Sequence, residues 1–449
     1  MSLPSRVSWL CALGSVAGLL VTPARGAAQG LQPAFSQGAL NSQYLGSGTT
    51  TVAVVPEREG LFEEARQSRF RLGPLRLHPV LYIGNLGYTN NFFGETEQEK
   101  EGSFTATAGG GVKGYLPVGN RVMLRGSVLP AYTWYSAEPD RGGLQGTYDF
   151  SGYFYVGRFG LSVTAGSYKA IVDLSSEVPQ PVTQTVLLGS FVGDYSLSSR
   201  MSAVGTLRVS RRTYGDPGLT PADQEKVAGL DGTDLSWSLG LRRRLGSRLT
   251  IGLSYESGEF ASVSQGALRD STNWGVLGSA YLDRGKLRAN VYFGYRSYEA
   301  SGGSSFTATD GPSGGINLQY DVGRRVFVGV EGVNSLLPSL YETNASYVER
   351  RLGPTLGLDL GRFRVTARYS LGSNDYLVAQ EIAPGETIKR KDDTQATYLT
   401  GSLMLVKWMT IDASLSWTDY RSNIPGYDRS VFAVTTNLRV GASGIQILK

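Results

Sequence analysis

The stretch that decides the fold is LRRRLGSRLTIGLSYE, Leu241–Glu256. Leu245-Gly246-Ser247-Arg248 has the composition of a tight turn, and the residues after it alternate. Leu249, Ile251, Leu253 and Tyr255 interleave with Thr250, Gly252, Ser254 and Glu256. A period of two sends apolar side chains to one face of a strand and small polar ones to the other. The plan recurs at Val118-Gly119-Asn120-Arg121, Val156-Gly157-Arg158-Phe159, Leu197-Ser198-Ser199-Arg200, Leu282-Asp283-Arg284-Gly285, Val322-Gly323-Arg324-Arg325, Leu360-Gly361-Arg362-Phe363 and Leu405-Val406-Lys407-Trp408. These eight turns lie roughly 38 to 48 residues apart, the interval of a structural array.

Between the turns run longer polar segments, at roughly 89–102, 135–143, 172–183, 214–232, 258–270, 299–312, 336–347, 374–393 and 421–428. Their density of Gly, Pro, Asn and Asp reads as exposed loop. Short turns on one side and long loops on the other predict an all-β, antiparallel transmembrane β-barrel of the outer membrane, with short periplasmic turns and longer extracellular loops. A first strand at about 75–88 and a last at about 429–441 flank the sixteen strands of the eight hairpins, which makes about 18. A β-propeller also repeats near 40 residues, but it packs four short strands into each blade. Here each interval holds two long strands, with rows such as Leu287, Ala289, Val291, Phe293 and Tyr295 on one face.

Composition agrees. Gly supplies 59 of 449 residues, nearly double the usual share of about 7%. Lys and Arg (43) barely exceed Asp and Glu (38), which is no argument for a nucleic-acid partner. No segment outside the first residues reaches the 18 apolar residues of a membrane helix, so a chain that crosses lipid must close its backbone hydrogen bonds as a barrel. Residues 1–28 have the pattern of a signal peptide: Arg6, an apolar run from Trp9 to Val21, and small residues Gly26-Ala27-Ala28 at the cleavage point. The one cysteine, Cys11, lies within that run, so the mature chain is expected to lack thiols and disulfides. Residues 29–71 read as a flexible periplasmic lead with a short helix possible at 59–69, residues 72–441 as the barrel, and 442–449 as a tail.

The two faces predict different environments. Val122, Leu124 and Val128, Leu161, Val163 and Ala165, Phe363, Val365, Ala367 and Tyr369, and Met409, Ile411, Ala413, Leu415 and Trp417 fall on the outer face, where charge is costly. Tyr132, Trp134, Tyr255, Trp274, Tyr295, Tyr369 and Trp417 near the loop ends, with Tyr320, Phe363 and Trp408 near the turns, suit two interfacial girdles. The opposite parity sends Lys113, Arg125, Arg208, Arg212, Arg242, Arg288, Arg296, Arg351, Arg364, Arg368 and Arg439 into the lumen, with Asp149, Glu256, Glu331, Asp359 and Asp412. Eleven bases against five acids predict an anion-biased pore lining. Tyr153, Tyr155, Tyr281, Tyr292 and Tyr298 interleave with them as flat faces for sugar rings. For any single Arg, the alternative is a structural pair with a neighbouring carboxylate.

Enzymatic chemistry has little to work with. His78 is the only histidine and is followed by Pro79. A Ser-His hydrolase in the membrane would have to use it, and no Ser with a third orienting group stands out nearby. Without a second His or a mature Cys there are no ligands for a zinc, haem or thiolate site, and no nucleotide-binding glycine pattern is present. The sequence therefore predicts no enzyme and no cofactor.

The stretch Arg71-Leu-Gly-Pro-Leu-Arg-Leu-His-Pro-Val-Leu-Tyr-Ile-Gly-Asn-Leu-Gly-Tyr-Thr-Asn-Asn-Phe-Phe93 resembles the opening of the outer-membrane β-barrel porin family often encoded with capsule or exopolysaccharide genes. There a Pro-containing strand leads into Gly-Tyr, a polar pair, Asn and an aliphatic or aromatic residue, as Gly87-Tyr88-Thr89-Asn90-Asn91-Phe92 does. Where the family tends to carry an acid, this chain has Thr89-Asn90, and its end, Gly-Ala-Ser-Gly-Ile-Gln-Ile-Leu-Lys449, lacks the usual terminal aromatic. The resemblance implies passive export of an exopolysaccharide across the outer membrane, with lipid, the polymer or another anionic solute, and a periplasmic export machinery as partners. A general anion or oligosaccharide porin, and a structural or adhesive barrel without transport, are the alternatives.

Overall fold

The computed structural model describes residues 55–68, 70–91, 100–173, 181–215, 231–263, 270–301, 308–339, 346–383, 385–406 and 408–441. The expected signal peptide, the lead before residue 55, the tail 442–449 and the tips of several loops lie outside the described residues.

A three-residue strand, β1 (Phe70–Leu72), folds back on β2 (Leu75–Thr89). Then follow β3 (Ser103–Val118), β4 (Val122–Tyr135), β5 (Gly143–Val156), β6 (Phe159–Asp173), β7 (Pro181–Ser198), β8 (Met201–Gly215), β9 (Gly232–Leu245), β10 (Leu249–Ser262) and β11 (Ser271–Arg284). The second half comprises β12 (Leu287–Ala300), β13 (Thr309–Asp321), β14 (Val326–Pro338), β15 (Ser346–Asp359), β16 (Phe363–Ala383), β17 (Glu386–Val406), β18 (Met409–Ser422) and β19 (Arg429–Gly441). From β2 onward each strand pairs antiparallel with the next, and β19 pairs back onto β2 through Val434↔Tyr88 and Val440↔Leu81. The eighteen long strands form a closed barrel with no free edge, the form that satisfies every backbone group in lipid. All eight short turns fall where the repeat places them, and the first and last long strands begin or end within a residue of expectation.

Closure has a local price at β2. The ladder slips between Gly84 and Gly87, where Asn85 adopts a left-handed φ of 48° and its amide N–H donates to Asn437 Oδ1 at 2.9 Å. Asn tolerates that region better than most residues. Across the seam, a Cβ on Gly87 would overlap the carbonyl oxygen of Val434.

One expected loop is a hairpin instead. Over 374–393 the strands β16 and β17 continue to 21 residues each and turn at Gly385, φ 82°. About 9–11 residues suffice to cross a bilayer, so this hairpin stands well above it. Its charges read as loop chemistry, yet alternation persists: Arg390 and Asp392 turn inward and pair at 2.7 Å, while Lys391 and Asp393 pair at 3.0 Å on the outer face. Paired charges in a ladder that has left the lipid cost little.

Outside, Leu81, Val128, Phe150, Val163, Leu207, Leu253, Phe293, Leu356 and Val434 stand exposed in alternate positions. The aromatics expected at both ends are there; Trp237 packs on Tyr255 at 5.3 Å and Trp274 on Tyr295 at 6.3 Å between ring centroids. The opposite parity holds Thr107, Met123, Ser127, Thr133, Ser162, Thr164 and Ser210, all buried.

Residues 55–68, expected in the flexible lead, lie against the inner wall. Helix α1 (Arg58–Arg66) presents Leu61 and Ala65, four apart and thus on one face, to Tyr115, Met123 and Tyr153. Val55 packs with Val192 and Val204. A nine-residue helix is too short to hold in water by itself, so the lumenal contacts hold it.

Candidate functional site

The candidate site is the lumen. Its wall is built by parity alone: pairings such as Lys113↔Ser127, Asp149↔Ser127 and Arg125↔Tyr115 keep inward residues opposite inward residues from strand to strand. All fifteen candidate pore-lining residues occupy inward register positions, but their surroundings differ.

Four of them lie beneath α1, at the turn end. Tyr115 Oη donates to Glu64 Oε1 at 2.6 Å, and Tyr155 Oη donates to the carbonyl of Pro56 at 2.8 Å. Tyr153, only 1% exposed, is covered by Leu61 and Ala65. Lys113 and Arg125 flank this contact, with Asp149 held by the Ser127 hydroxyl. Tyr153 and Tyr155 were expected as stacking faces for a sugar, and here the reading is corrected. Their flat apolar surface is spent on the helix and the segment leading into it.

A second group is paired. Arg212 meets Asp234 at 2.6 Å, Arg288 meets both carboxylate oxygens of Asp321 at 3.2 Å, Arg351 meets Glu349 at 2.6 Å, and Arg439 meets Asp412 at 2.5 Å. Arg242 pairs with Asp194, Arg296 with Glu256, and Arg368 with Glu331. Seven of the eleven candidate cations thus hold a carboxylate among the described residues. The eleven-to-five surplus is corrected accordingly: Asp194, Asp234, Asp321 and Glu349 share the inward parity and were left out of the count. Alternation along β7, β9, β13 and β15 places all four inward. Desolvated Arg needs such partners, since removing one member of a half-buried pair strands the other.

The remaining candidates are more open. Arg208 stands exposed on the inner face of β8, and the guanidinium of Arg364 lies 4.9 Å over the Phe327 ring. Tyr281 is 39% exposed on the inner face of β11, and Tyr292 is half-buried with its hydroxyl unpaired. Tyr298 is buried beside the Arg212–Asp234 and Arg296–Glu256 pairs. Around Tyr214, Gln184 donates from Nε2 at 2.8 Å.

Sequence reasoning missed one constellation near the loop end. The guanidinium of Arg390, 1% exposed, sits 3.9 Å from the Tyr427 ring centroid and 5.0 Å from that of Tyr376, while Nε and Nη2 donate to both oxygens of Asp392 at 2.8 and 2.7 Å. The loop after β18 therefore folds over the inner side of the tall β16–β17 hairpin. Charge density had marked this region as solvated. No group of three or more His, Cys, Asp or Glu placed to hold a metal occurs among the described residues.

No protein-family model matches the sequence, and no curated protein matches it. Solved structures do. Pseudomonas aeruginosa OccK2 (OpdF), solved with glucuronate, is 12% identical with a TM-score of 0.50, over 83% of this chain and 99% of that one. A BenF-like porin from Pseudomonas fluorescens Pf-5 is 9% identical with a TM-score of 0.51, over 82% and 99%. The outer membrane protein OpdK of Pseudomonas aeruginosa is 11% identical with a TM-score of 0.51, over 83% and 100%. At such low identity the likeness speaks for the architecture: a closed, eighteen-stranded barrel of the outer-membrane porin type.

Proposed function

We propose that the barrel is an outer-membrane diffusion channel for small anionic solutes, carboxylates above all. The observation that carries this is the make-up of the inner wall. It is polar and rich in Arg, with Arg208 exposed on the inner face of β8 and Lys113 and Arg125 beside α1. Arginine offers a planar fork that matches a carboxylate, and ion pairs within the inner wall hold most of these forks in fixed orientations. A solute carboxylate exchanges for one arm of such a pair and leaves again, because no single contact is isolated or deep. The neighbours agree in chemistry: OccK2 was solved with glucuronate and OpdK with vanillate.

Size favours a small solute. Eighteen strands about 4.8 Å apart and tilted about 40° enclose a tube roughly 35 Å across between backbones. Side chains take about a third of that, and a helix adds a body of about 10 Å. Helix α1 lies against the inner wall at the turn side, where an exported polymer would enter. Polysaccharide export, which the resemblance of residues 71–93 suggests, is therefore the second reading.

Planar-bilayer recordings under a salt gradient test the proposal. The expected reversal potential is that of an anion-preferring pore, with glucuronate reducing the chloride current. A cation-preferring or non-conducting barrel would overturn it, and loss of surface polymer on gene deletion with unchanged anion uptake would favour export.

A further inference from the structure

We infer that the lipid-facing wall over β6–β11 is a binding site for one anionic phospholipid of the periplasmic leaflet, its acyl chain in a hollow and its phosphate on a cluster of arginines. The hollow measures about 650 Å³ and is lined almost wholly by apolar atoms. Its floor is a run of small residues. Gly193 and Gly205 face each other on β7 and β8, and Ala203 lies next along β8, opposite Tyr195. Phe159, Phe191, Leu239 and Leu241 form its walls. Two outward glycines directly opposite one another, with an alanine beside them, notch the greasy wall between these bulky neighbours.

The turn end of the same strands supplies the charge. Arg158 immediately precedes Phe159, and Arg200 and Arg248 sit in the next two turns. Arg243, two residues beyond Leu241 on the outward face of β9, is registered against Met201. The turns are knit together: Ser196 N donates to the Arg158 carbonyl at 2.9 Å, and Arg244 N to the Arg200 carbonyl at 2.7 Å. Arg158, Arg200, Arg243 and Arg248 are all exposed, and none takes part in the ion pairs among the described residues. Of the acids at this end, Asp194 faces inward and is engaged by Arg242, and Asp283, whose N–H donates to the Arg248 carbonyl, has the inward parity of Arg288, opposite it in the ladder. An apolar slot with unneutralised guanidinium groups at its periplasmic end is complementary to a phosphodiester carrying acyl chains. A zwitterionic headgroup would bring its own cation into the cluster. A second copy of this chain fits less well, since it would set like-charged turns together.

Native mass spectrometry of the purified full-length mature barrel, titrated in detergent with phosphatidylglycerol or phosphatidylcholine of matched chains, tests this. One anionic lipid should bind about a hundredfold more tightly than the zwitterionic one. Each surface arginine is worth roughly fivefold, so the triple variant Arg158→Gln, Arg200→Gln and Arg243→Gln should lose about a hundredfold for phosphatidylglycerol and little for phosphatidylcholine. Ala203→Phe fills the slot and should weaken both. Heat-modifiable gel migration, unchanged in the variants, reports that the barrel still folds. Equal binding of the two lipids, or full retention by the triple variant, would overturn the site. So would a dimer mass that Ala203→Phe abolishes, because a second copy would then be what covers the hollow.

Discussion

The docking of α1 gives the sharpest prediction. Leu61 is 5% exposed and is the only large side chain that the helix fully buries, against Tyr115, Met123 and Tyr153. Leu61→Ala removes that contact and leaves Ala65, Val55 and the two tyrosine hydrogen bonds to hold the segment. Truncating a buried leucine costs about 2–5 kcal/mol. The site borders a wet lumen, and water filling the space keeps the cost near the lower end, about 2–3 kcal/mol. That moves the docked-to-undocked ratio roughly 30- to 150-fold. Tyr115→Phe, which ends the bond to Glu64, should add about 1 kcal/mol. A thiol introduced by Ala65→Cys, at a position 3% exposed, reports the open population through its reaction with a membrane-impermeant maleimide. Leu61→Ala should raise the labelling rate at least roughly 30-fold, and single-channel records should change from steady to flickering with larger openings. Unchanged labelling together with unchanged conductance would refute the reasoning, for the helix would then be held by something other than its apolar face.

Three further outcomes follow from particular residues. Gly87→Val should prevent β2 from seating against Val434, so folding yield by heat-modifiable gel shift should collapse; wild-type yield would contradict the seam geometry. Glu256→Gln removes the carboxylate charge facing Arg296, whose side chain is 5% exposed, and should cost about 3 kcal/mol in urea unfolding from detergent while raising anion preference. Stability equal to wild type would show that pair to be dispensable. Arg390→Met leaves Asp392 buried and uncompensated, so the loop over the β16–β17 hairpin should open and trypsin should cut at Arg421 roughly tenfold faster or more. An unchanged digestion pattern would count against the aromatic clamp.

The architecture was legible because alternation and turn chemistry are local. Leu249 to Tyr255 reveal their outward face within seven residues, and Leu245-Gly246-Ser247-Arg248 marks its own turn. What stayed hidden depends on contacts distant in sequence. Leu61 and Ala65 show a helix face but not what it covers; Tyr115, Met123 and Tyr153 are met only when the strands have closed around them. The same holds for Arg390, whose burial needs Tyr376 and Tyr427 from either side, and whose neighbours Lys389, Lys391 and Asp393 look like a solvated loop. Lumenal charge fell between the two cases. Parity was available for Asp194, Asp234, Asp321 and Glu349, so their pairing with Arg242, Arg212, Arg288 and Arg351 was open to inference from the chain alone.

Substituted-cysteine scanning along β12, in reconstituted membranes, tests the central claim most directly, since the chain's sole cysteine lies at position 11. Thiols introduced in place of Arg288, Asn290 and Tyr292 should react with a small water-soluble reagent. Those replacing Ala289, Val291, Phe293 and Tyr295 should be shielded by lipid and react only with a lipid-soluble one. Uniform reactivity along the strand, or alternation of the opposite parity, would contradict a tube with a greasy outer wall and a wet inner one.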